Sequence, residues 1–286
     1  MTDFEMPPEV KIELPDESLG ALRLDSSGGE DISLYTTLNR REALFGAVFE
    51  AIGERFEPSD DIAAVSAPCS VGAEADSFIS IYEALGYQGR VNLRAYDINP
   101  EAIRRARLGR HLLDRFLYFE DKLARMGEEL SRMGFECDFD RVVQIPGTTN
   151  FGGFYEIISR SLRERHDVDF QVADLREGLP TDDAPEADVT MANNIFYHLE
   201  PDEADKVLRV LASNVSDRGI LSMGDIPGMV PYARIMGWEG QRSDIKIGDW
   251  LLEAAKVLAR DYRMQPTHFK TAKTFEQQIP VIFAKT

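Results

Sequence analysis

Short apolar runs alternate along this chain with longer segments whose apolar residues recur at helical spacing. The early runs occupy residues 62–66, 91–96, 167–172 and 187–192, and each is too short to form a helix of its own. Helical patterns lie between them, one of which begins at Ala73 and stops near Gly86. Alternation of this kind predicts parallel strands covered by helices on both faces of one sheet.

The last third of the chain continues the pattern. Helical spacing from Glu200 to Ser213 precedes a strand at 220–223, and a further helix is predicted over 250–258. The final strand, 278–284, has 262–269 as its expected antiparallel neighbour. The sequence therefore predicts an α/β fold with a seven-stranded, mostly parallel sheet and one reversed strand near an edge.

Two features at the ends of the first two strands point to a ligand site. The first strand runs into a turn of small residues that contains Gly72, and the second ends at Asp97. In a βαβ unit these positions meet at one end of the sheet, where nucleotide-like ligands bind. Glycine lets the backbone approach a ligand closely, and a carboxylate can accept hydrogen bonds from both hydroxyls of a ribose. The alternative is that both are ordinary turn residues.

A longer motif surrounds the same turn. Residues 66–74 read SAPCSVGAE, with Ser77 beyond them, and this resembles the S-A-x-C-S-x-G-x-E-x-x-S motif of CheR-type chemoreceptor glutamate O-methyltransferases. Residues 96–99 and 106–110 resemble the D-I-D and A-R-x-G segments of that family. The resemblance implies a Rossmann-like class I methyltransferase fold, S-adenosylmethionine as cofactor, and Glu74 and Asp97 in the cofactor site.

Two further segments extend the resemblance. Residues 37–42, TLNRRE, resemble the family segment T-x-F-F-R-E, which implies that Thr37 and Arg41 approach the cofactor; the alternative is a solvated helix start. Asp174 and Leu175 follow the third strand, where class I methyltransferases place an acceptor for the adenine amino group and, in this family, an apolar contact to the ring. The alternative for Asp174 is a common turn aspartate.

The segment after the fourth strand, residues 193–199, carries the candidate transfer chemistry. It is similar to the family's C-R-N-V-x-I-Y-F and also to the N-x-x-x-H-L of small-molecule methyltransferases. The match implies that Asn194 and Tyr197 line the methyl-transfer pocket, while Asn193 replaces the expected arginine. His198 is a candidate proton acceptor for a hydroxyl or amine substrate, and the alternative is a packed histidine.

These assignments define the predicted site. The cofactor-binding residues are Thr37, Arg41, Cys69, Gly72, Glu74, Asp97, Ile98, Asp174, Leu175 and Asn193, and the residues of methyl transfer are Asn194, Tyr197 and His198. Cys69 is expected to be a small buried residue of the cofactor turn, because nothing near it in sequence would activate a thiolate.

The pattern also suggests a division of the chain. Residues 1–30 are rich in proline and acidic residues and are expected to form a mobile arm, with the methyltransferase domain over 31–286. A helical insertion is expected at about 115–166, and its loop at 151–155 either faces the substrate or packs down on its own aromatic residues. The arm does not match the basic helical domain of chemoreceptor enzymes, which argues against receptor methylation.

Composition narrows the range of partners. The 286 residues include 32 basic and 50 acidic residues, and the formal charge of −18 disfavours binding to nucleic acid or to an anionic membrane. We see neither a secretory signal nor a long apolar run, so a cytoplasmic protein with reduced cysteines is expected. The four histidines are spread apart and no close cysteine pair occurs, so no metal site is predicted.

Three rival functions remain open from the sequence. A nicotinamide-dependent oxidoreductase would share the βαβ start, but the G-x-G-x-x-G fingerprint is missing. A non-catalytic regulator that binds S-adenosylmethionine would keep Glu74, Asp97 and Asp174. A chemoreceptor-type glutamate methyltransferase is the third. The sequence identifies neither the methyl acceptor nor the oligomeric state.

Overall fold

The computed structural model describes residues 42–114, 128, 131–132, 134–143, 154–180, 186–193, 195–196, 199–223, 244–271 and 278–286. The predicted N-terminal arm, 1–30, lies outside the described residues. The described helices are α1 (Glu42–Gly53), α2 (Ala73–Ala84), α3 (Pro100–Leu108), the single turn α4 (Arg160–Arg163), α5 (Pro201–Ser213) and α6 (Asp244–Tyr262). The described strands are β1 (Ile62–Ser66), β2 (Val91–Asp97), β3 (Arg110–Asp114), β4 (Glu136–Val143), β5 (Phe154–Ile158), β6 (Asp167–Val172), β7 (Ala187–Met191), β8 (Val215–Ser222), β9 (Met264–Thr271) and β10 (Gln278–Lys285).

Seven of these strands form one sheet in the order β6-β2-β1-β7-β8-β10-β9. The first five strands in this order are parallel to one another, whereas β10 is antiparallel to both β8 and β9. This confirms the predicted α/β, Rossmann-like fold with a seven-stranded, mostly parallel sheet and a reversed strand near one edge. The chain moves outward from β1 to β2 and β6 and then crosses back to β7, so the order reverses between β1 and β7. Such a switch point is where open α/β sheets bind ligands, at the carboxyl ends of the strands.

Alternating side chains on the central strands face two separate apolar layers. Ala64 and Leu93 lie in the layer beneath α1, α2 and α3, whereas Val65 and Tyr96 lie in the layer beneath α5 and α6. A parallel strand buried on both faces reads as a nearly continuous apolar run, which is why β1 and β2 were recognisable from the sequence. Helices on both faces of the sheet were predicted, and this is confirmed.

A second, smaller sheet is formed by β3, which ends just before the predicted helical insertion, and by β4 and β5, which lie within it. It has three antiparallel strands in the order β3-β5-β4. The prediction of a helical insertion at about 115–166 is therefore wrong for the residues of β4 and β5. Residues 136–140 read ECDFD, an alternation of acidic with apolar or sulfur-containing residues that is typical of a strand with one face in solvent, and it was obscured by the charged residues around it.

Candidate functional site

The turn after β1 is held in an unusual backbone conformation. Gly72 caps α2 with φ of 81°, and Ser70 also lies in the left-handed region with φ of 49°. The amide of Cys69 donates to the carbonyl of Tyr96 on β2 over 2.8 Å. The turn is therefore tied directly to the neighbouring strand β2.

Asp97 shapes this turn through its side chain. Its Oδ2 accepts a hydrogen bond from the amide of Ser70 over 2.8 Å, and its Oδ1 accepts one from the amide of Asn99 over 2.9 Å. Burial raises the pKa of Asp97, and the two amides of Asn99 and Ser70 oppose that rise. A carboxylate offers about four acceptor positions, so two remain for a ligand. This bracing role was not predicted, because it depends on the backbone of a distant turn.

Glu74 and Asn193, which were both predicted to bind the cofactor, are hydrogen-bonded to each other. Glu74 accepts hydrogen bonds from Ser66 Oγ over 3.0 Å and from Asn193 Nδ2 over 2.7 Å. Asn193 in turn accepts a hydrogen bond at Oδ1 from Ser222 Oγ over 3.1 Å. These contacts connect the ends of β1, β7 and β8 with the first turn of α2. Because an amide is neutral, Asn193 orients the Glu74 carboxylate without adding a positive charge.

Asp174 lies where predicted, just beyond β6, but its carboxylate is engaged by a neighbour. Arg176 binds it with Nε over 2.9 Å and with Nη2 over 2.8 Å, and also reaches Glu203 over 3.1 Å. The hydrogen bonds and charge of Arg176 lower the pKa of Asp174. Leu175 is buried. Arg176 was missed by the sequence analysis, although its position two residues after the aspartate is a usable signal.

Two apolar side chains are exposed to solvent beside Asp97. Ile98, which follows Asp97, is 46% exposed, and Val172, which pairs with Asp97 across β2 and β6, is 50% exposed. Large apolar side chains at the carboxyl end of a sheet offer a flat surface for a ring. The predicted site residue Ile98 is therefore one of the exposed apolar side chains at this end of the sheet.

Cys69 does not have the environment of a nucleophile. Its side chain is buried, and burial, followed by the charges of Asp97 and Glu74, raises the pKa of its thiol well above the ordinary value. A protonated, buried thiol behaves as a small apolar residue. Within the described part of the chain, no cluster of three or more His, Cys, Asp or Glu residues could hold a metal ion. No described helix is long and apolar enough to cross a membrane.

Several predicted site residues cannot be placed. Thr37, Arg41, Asn194, Tyr197 and His198 lie outside the described residues, so their assignments remain predictions. The same holds for the aromatic loop at 151–153. The structure brings Gly72, Glu74, Asp97 and Asn193 to one end of the sheet, with Ile98, Asp174 and Leu175 beside them.

Replacing Gly72 with alanine is expected to destabilise the fold. An L-residue at φ of 81° is strained, and a Cβ there would come within 2.9 Å of the Phe170 ring. The left-handed conformation alone costs roughly 1–2 kcal/mol. Gly46→Ala is the matched control, because Gly46 lies in α1 with nothing within 4 Å of the added Cβ. It should instead stabilise by roughly 0.5–1 kcal/mol. Thermal unfolding measures both, and shifts of the same sign would contradict the expectation.

The sequence matches no protein-family model and no curated protein. Among solved structures, it is similar to magnesium protoporphyrin IX methyltransferase from Synechocystis with bound SAH, at 13% identity over 85% of this chain and 82% of that one, with a TM-score of 0.39. It is also similar to a putative rRNA methylase from Clostridium thermocellum, at 13% identity over 84% of this chain and 96% of that one, with a TM-score of 0.43. A third, the LepI complex with SAM, is 11% identical over 84% of this chain and 46% of that one, with a TM-score of 0.42.

Proposed function

We propose that this protein is an S-adenosylmethionine-dependent methyltransferase. The observation that carries the proposal is the convergence of the Gly72 turn, Asp97 and Glu74 at the point where the strand order reverses. Ligands of open α/β sheets bind at this point. Within that class, the motif resemblance at residues 66–77 supports a CheR-like enzyme.

The acceptor and apolar side chains at this end of the sheet fit the three parts of this cofactor. Asp97 has acceptor positions for the two ribose hydroxyls, and Glu74 offers a carboxylate to the ammonium of the amino-acid part. Ile98 and Leu175 supply apolar surface for adenine, and Asp174 supplies an acceptor for its amino group. When bound, S-adenosylmethionine supplies a methyl group carried on a positively charged sulfur.

The contribution of the chain is chiefly orientation. A fixed turn and two braced carboxylates hold a ligand in one position without rearranging, and orientation of this kind can supply roughly 7–11 kcal/mol of a barrier. Because both carboxylates are anchored by hydrogen bonds from the protein, little side-chain freedom remains to be lost on binding.

The acceptor is proposed to be something other than a receptor glutamate. Asn193 stands where the resembled family has arginine, and its amide is already used between Glu74 and Ser222. It is therefore positioned to order the cofactor side of the site, and it carries no charge with which to bind a substrate carboxylate. The strongly acidic chain also opposes an acidic protein partner. Comparable methyl transfer to glutamates of a receptor fragment and to other substrates would refute this.

We place the acceptor pocket between Tyr197, His198 and residues 151–155, the last two of which begin β5. Tyr197→Ala is expected to leave S-adenosylmethionine binding nearly unchanged and to lower methyl transfer by a factor on the order of ten or more, since about 1.36 kcal/mol of lost transition-state stabilisation is tenfold. A binding titration paired with a product assay measures both. If cofactor affinity and methyl transfer both fell, Tyr197 would belong to the cofactor site. If neither changed, the acceptor pocket would lie elsewhere.

Calorimetric titration tests the proposal as a whole. The protein should bind S-adenosylmethionine and S-adenosylhomocysteine, and should not bind NAD. A screen of small molecules and cell extract for release of S-adenosylhomocysteine then tests catalysis. Binding of NAD instead would indicate an oxidoreductase, and cofactor binding without turnover on any acceptor would indicate a regulator.

A further inference from the structure

One fully buried carboxylate is unrelated to the ligand contacts described above. The Asp76 side chain has no exposure to solvent and sits in the first turn of α2. Its Oδ1 accepts from Arg163 Nε over 2.7 Å, and its Oδ2 accepts from Ser159 Oγ over 2.7 Å and from Arg163 Nη2 over 2.5 Å. His111 Nε2 lies 2.5 Å from the same Oδ2. A buried charge needs compensation of this quality to be tolerated.

The partners of Asp76 all come from one part of the fold. His111 lies on β3, Ser159 directly follows β5, and Arg163 ends α4. The small sheet and the helical turn after it therefore converge on one carboxylate of α2. None of these three residues contacts the predicted cofactor residues by a hydrogen bond that the structure describes.

The cluster formed by Asp76, His111, Ser159 and Arg163 lies next to the Gly72 turn. The amide of Asp76 donates to the carbonyl of Gly72 over 3.0 Å, which is the first hydrogen bond of α2. The Arg163 guanidinium lies 4.6 Å from the centre of the Phe170 ring, and that ring comes within 2.9 Å of where a Cβ on Gly72 would be. Arg163 thus contacts both Asp76 and the Phe170 ring, the two side chains that lie next to the Gly72 turn.

Two anchors hold α2 from opposite sides. Glu74 and Asp76 are two residues apart, which on an α-helix is about 200° around the axis. Glu74 is fixed at the main sheet by Ser66 and Asn193. Asp76 is fixed by His111 on β3, Ser159 after β5 and Arg163 on α4. Together they set the rotation of α2 and hence the direction of the backbone groups after Gly72.

We propose that Asp76 is a positioning residue for the cofactor site, through which the placement of the small sheet fixes the Gly72 turn. The inference rests on the proposed function, because the ligand used to detect it is the demethylated cofactor. Its consequence is that cofactor affinity depends on a carboxylate that the cofactor never touches.

The test compares Asp76→Asn with Glu83→Gln. Glu83 lies two turns further along the same face of α2 and binds Arg165 and His166, which lie just beyond the end of α4. It therefore also ties α2 to that segment. It is far from the Gly72 turn in the helix. Asp76→Asn should weaken S-adenosylhomocysteine binding about tenfold, since small misplacements of a site are costly. Glu83→Gln should lower the melting temperature yet leave the affinity within about twofold.

The outcomes distinguish a failure of the proposed function from a failure of the positioning role of Asp76. If the wild-type protein does not bind S-adenosylhomocysteine, the proposed function fails and the inference falls with it. If the wild type binds and both variants bind equally well, or lose affinity in proportion to their loss of stability, only the inference is overturned. If Asp76→Asn does not fold, Ser159→Ala decides, because it removes one hydrogen bond to Oδ2 and leaves the ion pair in place. A folded Ser159→Ala protein with wild-type affinity overturns the inference.

Discussion

Replacing Asp97 with alanine is expected to lower the affinity for S-adenosylmethionine and S-adenosylhomocysteine by on the order of ten- to a hundredfold. Loss of hydrogen bonds from the ribose to a charged acceptor costs about 1.5–3 kcal/mol, and each 1.4 kcal/mol is tenfold in affinity. The same change removes the acceptor that holds the amides of Ser70 and Asn99. Both effects act in the same direction, because a turn released from Asp97 must be ordered again on binding.

Asp167→Ala is the matched control for this prediction. Asp167 starts β6, at the opposite end of the sheet, and is exposed in an ion pair with Arg90 over 3.0 Å. Its removal should leave cofactor affinity unchanged. Calorimetric titration gives the affinities, and circular dichroism confirms that each variant is folded. Wild-type affinity in folded Asp97→Ala protein would show that the acid after β2 is not part of the cofactor site.

Most of the main sheet was predictable from the sequence for a physical reason. Strands buried on both faces must be apolar almost throughout, and β1 was predicted with the bounds that the structure shows. Glycine in a left-handed turn and an acid at a strand end also leave local signals, as Gly72 and Asp97 did.

Strands were harder to predict from the sequence where one of their faces is polar. The strand predicted at 220–223 begins earlier than expected, because residues 216–219, which read SDRG and resemble a turn, lie within β8 from Val215 onward. The strands of the small sheet were missed for a similar reason. Charge and turn residues lowered the apolar signal in each case, and only pairing with a neighbouring strand supplies the remaining stabilisation.

The Asp76 cluster could not have been predicted at all. Its partners Ser159 and Arg163 lie 83 and 87 residues away in sequence. A polar residue in the first turn of a helix is ordinarily solvated and favoured by the helix dipole, so a lone aspartate at this position gives no sign of burial. The cluster exists because the fold brings four polar groups together, and no local pattern encodes that convergence.

Arg163→Ala is expected to cause the largest loss of stability of the changes considered. The variant leaves the Asp76 carboxylate buried without its guanidinium, and breaking a buried pair costs about 3–5 kcal/mol. For a chain of this size that is a fall in melting temperature of about 5–10 °C. The matched control is Arg165→Ala. Arg165 is 49% exposed in its ion pair with Glu83, and such surface pairs contribute about 1 kcal/mol or less.

The response to acid distinguishes a lost ion pair from lost packing over the Phe170 ring. Burial acts to raise the pKa of Asp76, but the hydrogen bond and charge of His111 and then those of Arg163 outweigh it and hold the pKa below its ordinary value. A carboxyl group whose pKa is lowered on folding adds stability above its unfolded pKa of about 3.9 and loses it as the pH falls through the folded value. Without Arg163 that folded value rises, so acid unfolding of Arg163→Ala should begin at a higher pH than in the wild type.

Arg163→Met retains an apolar stem over Phe170 but no charge, and it should share this shift. If Arg163→Met unfolds in acid at the wild-type pH, the stabilisation comes from packing and the buried charge of Asp76 is compensated by His111 and Ser159 alone.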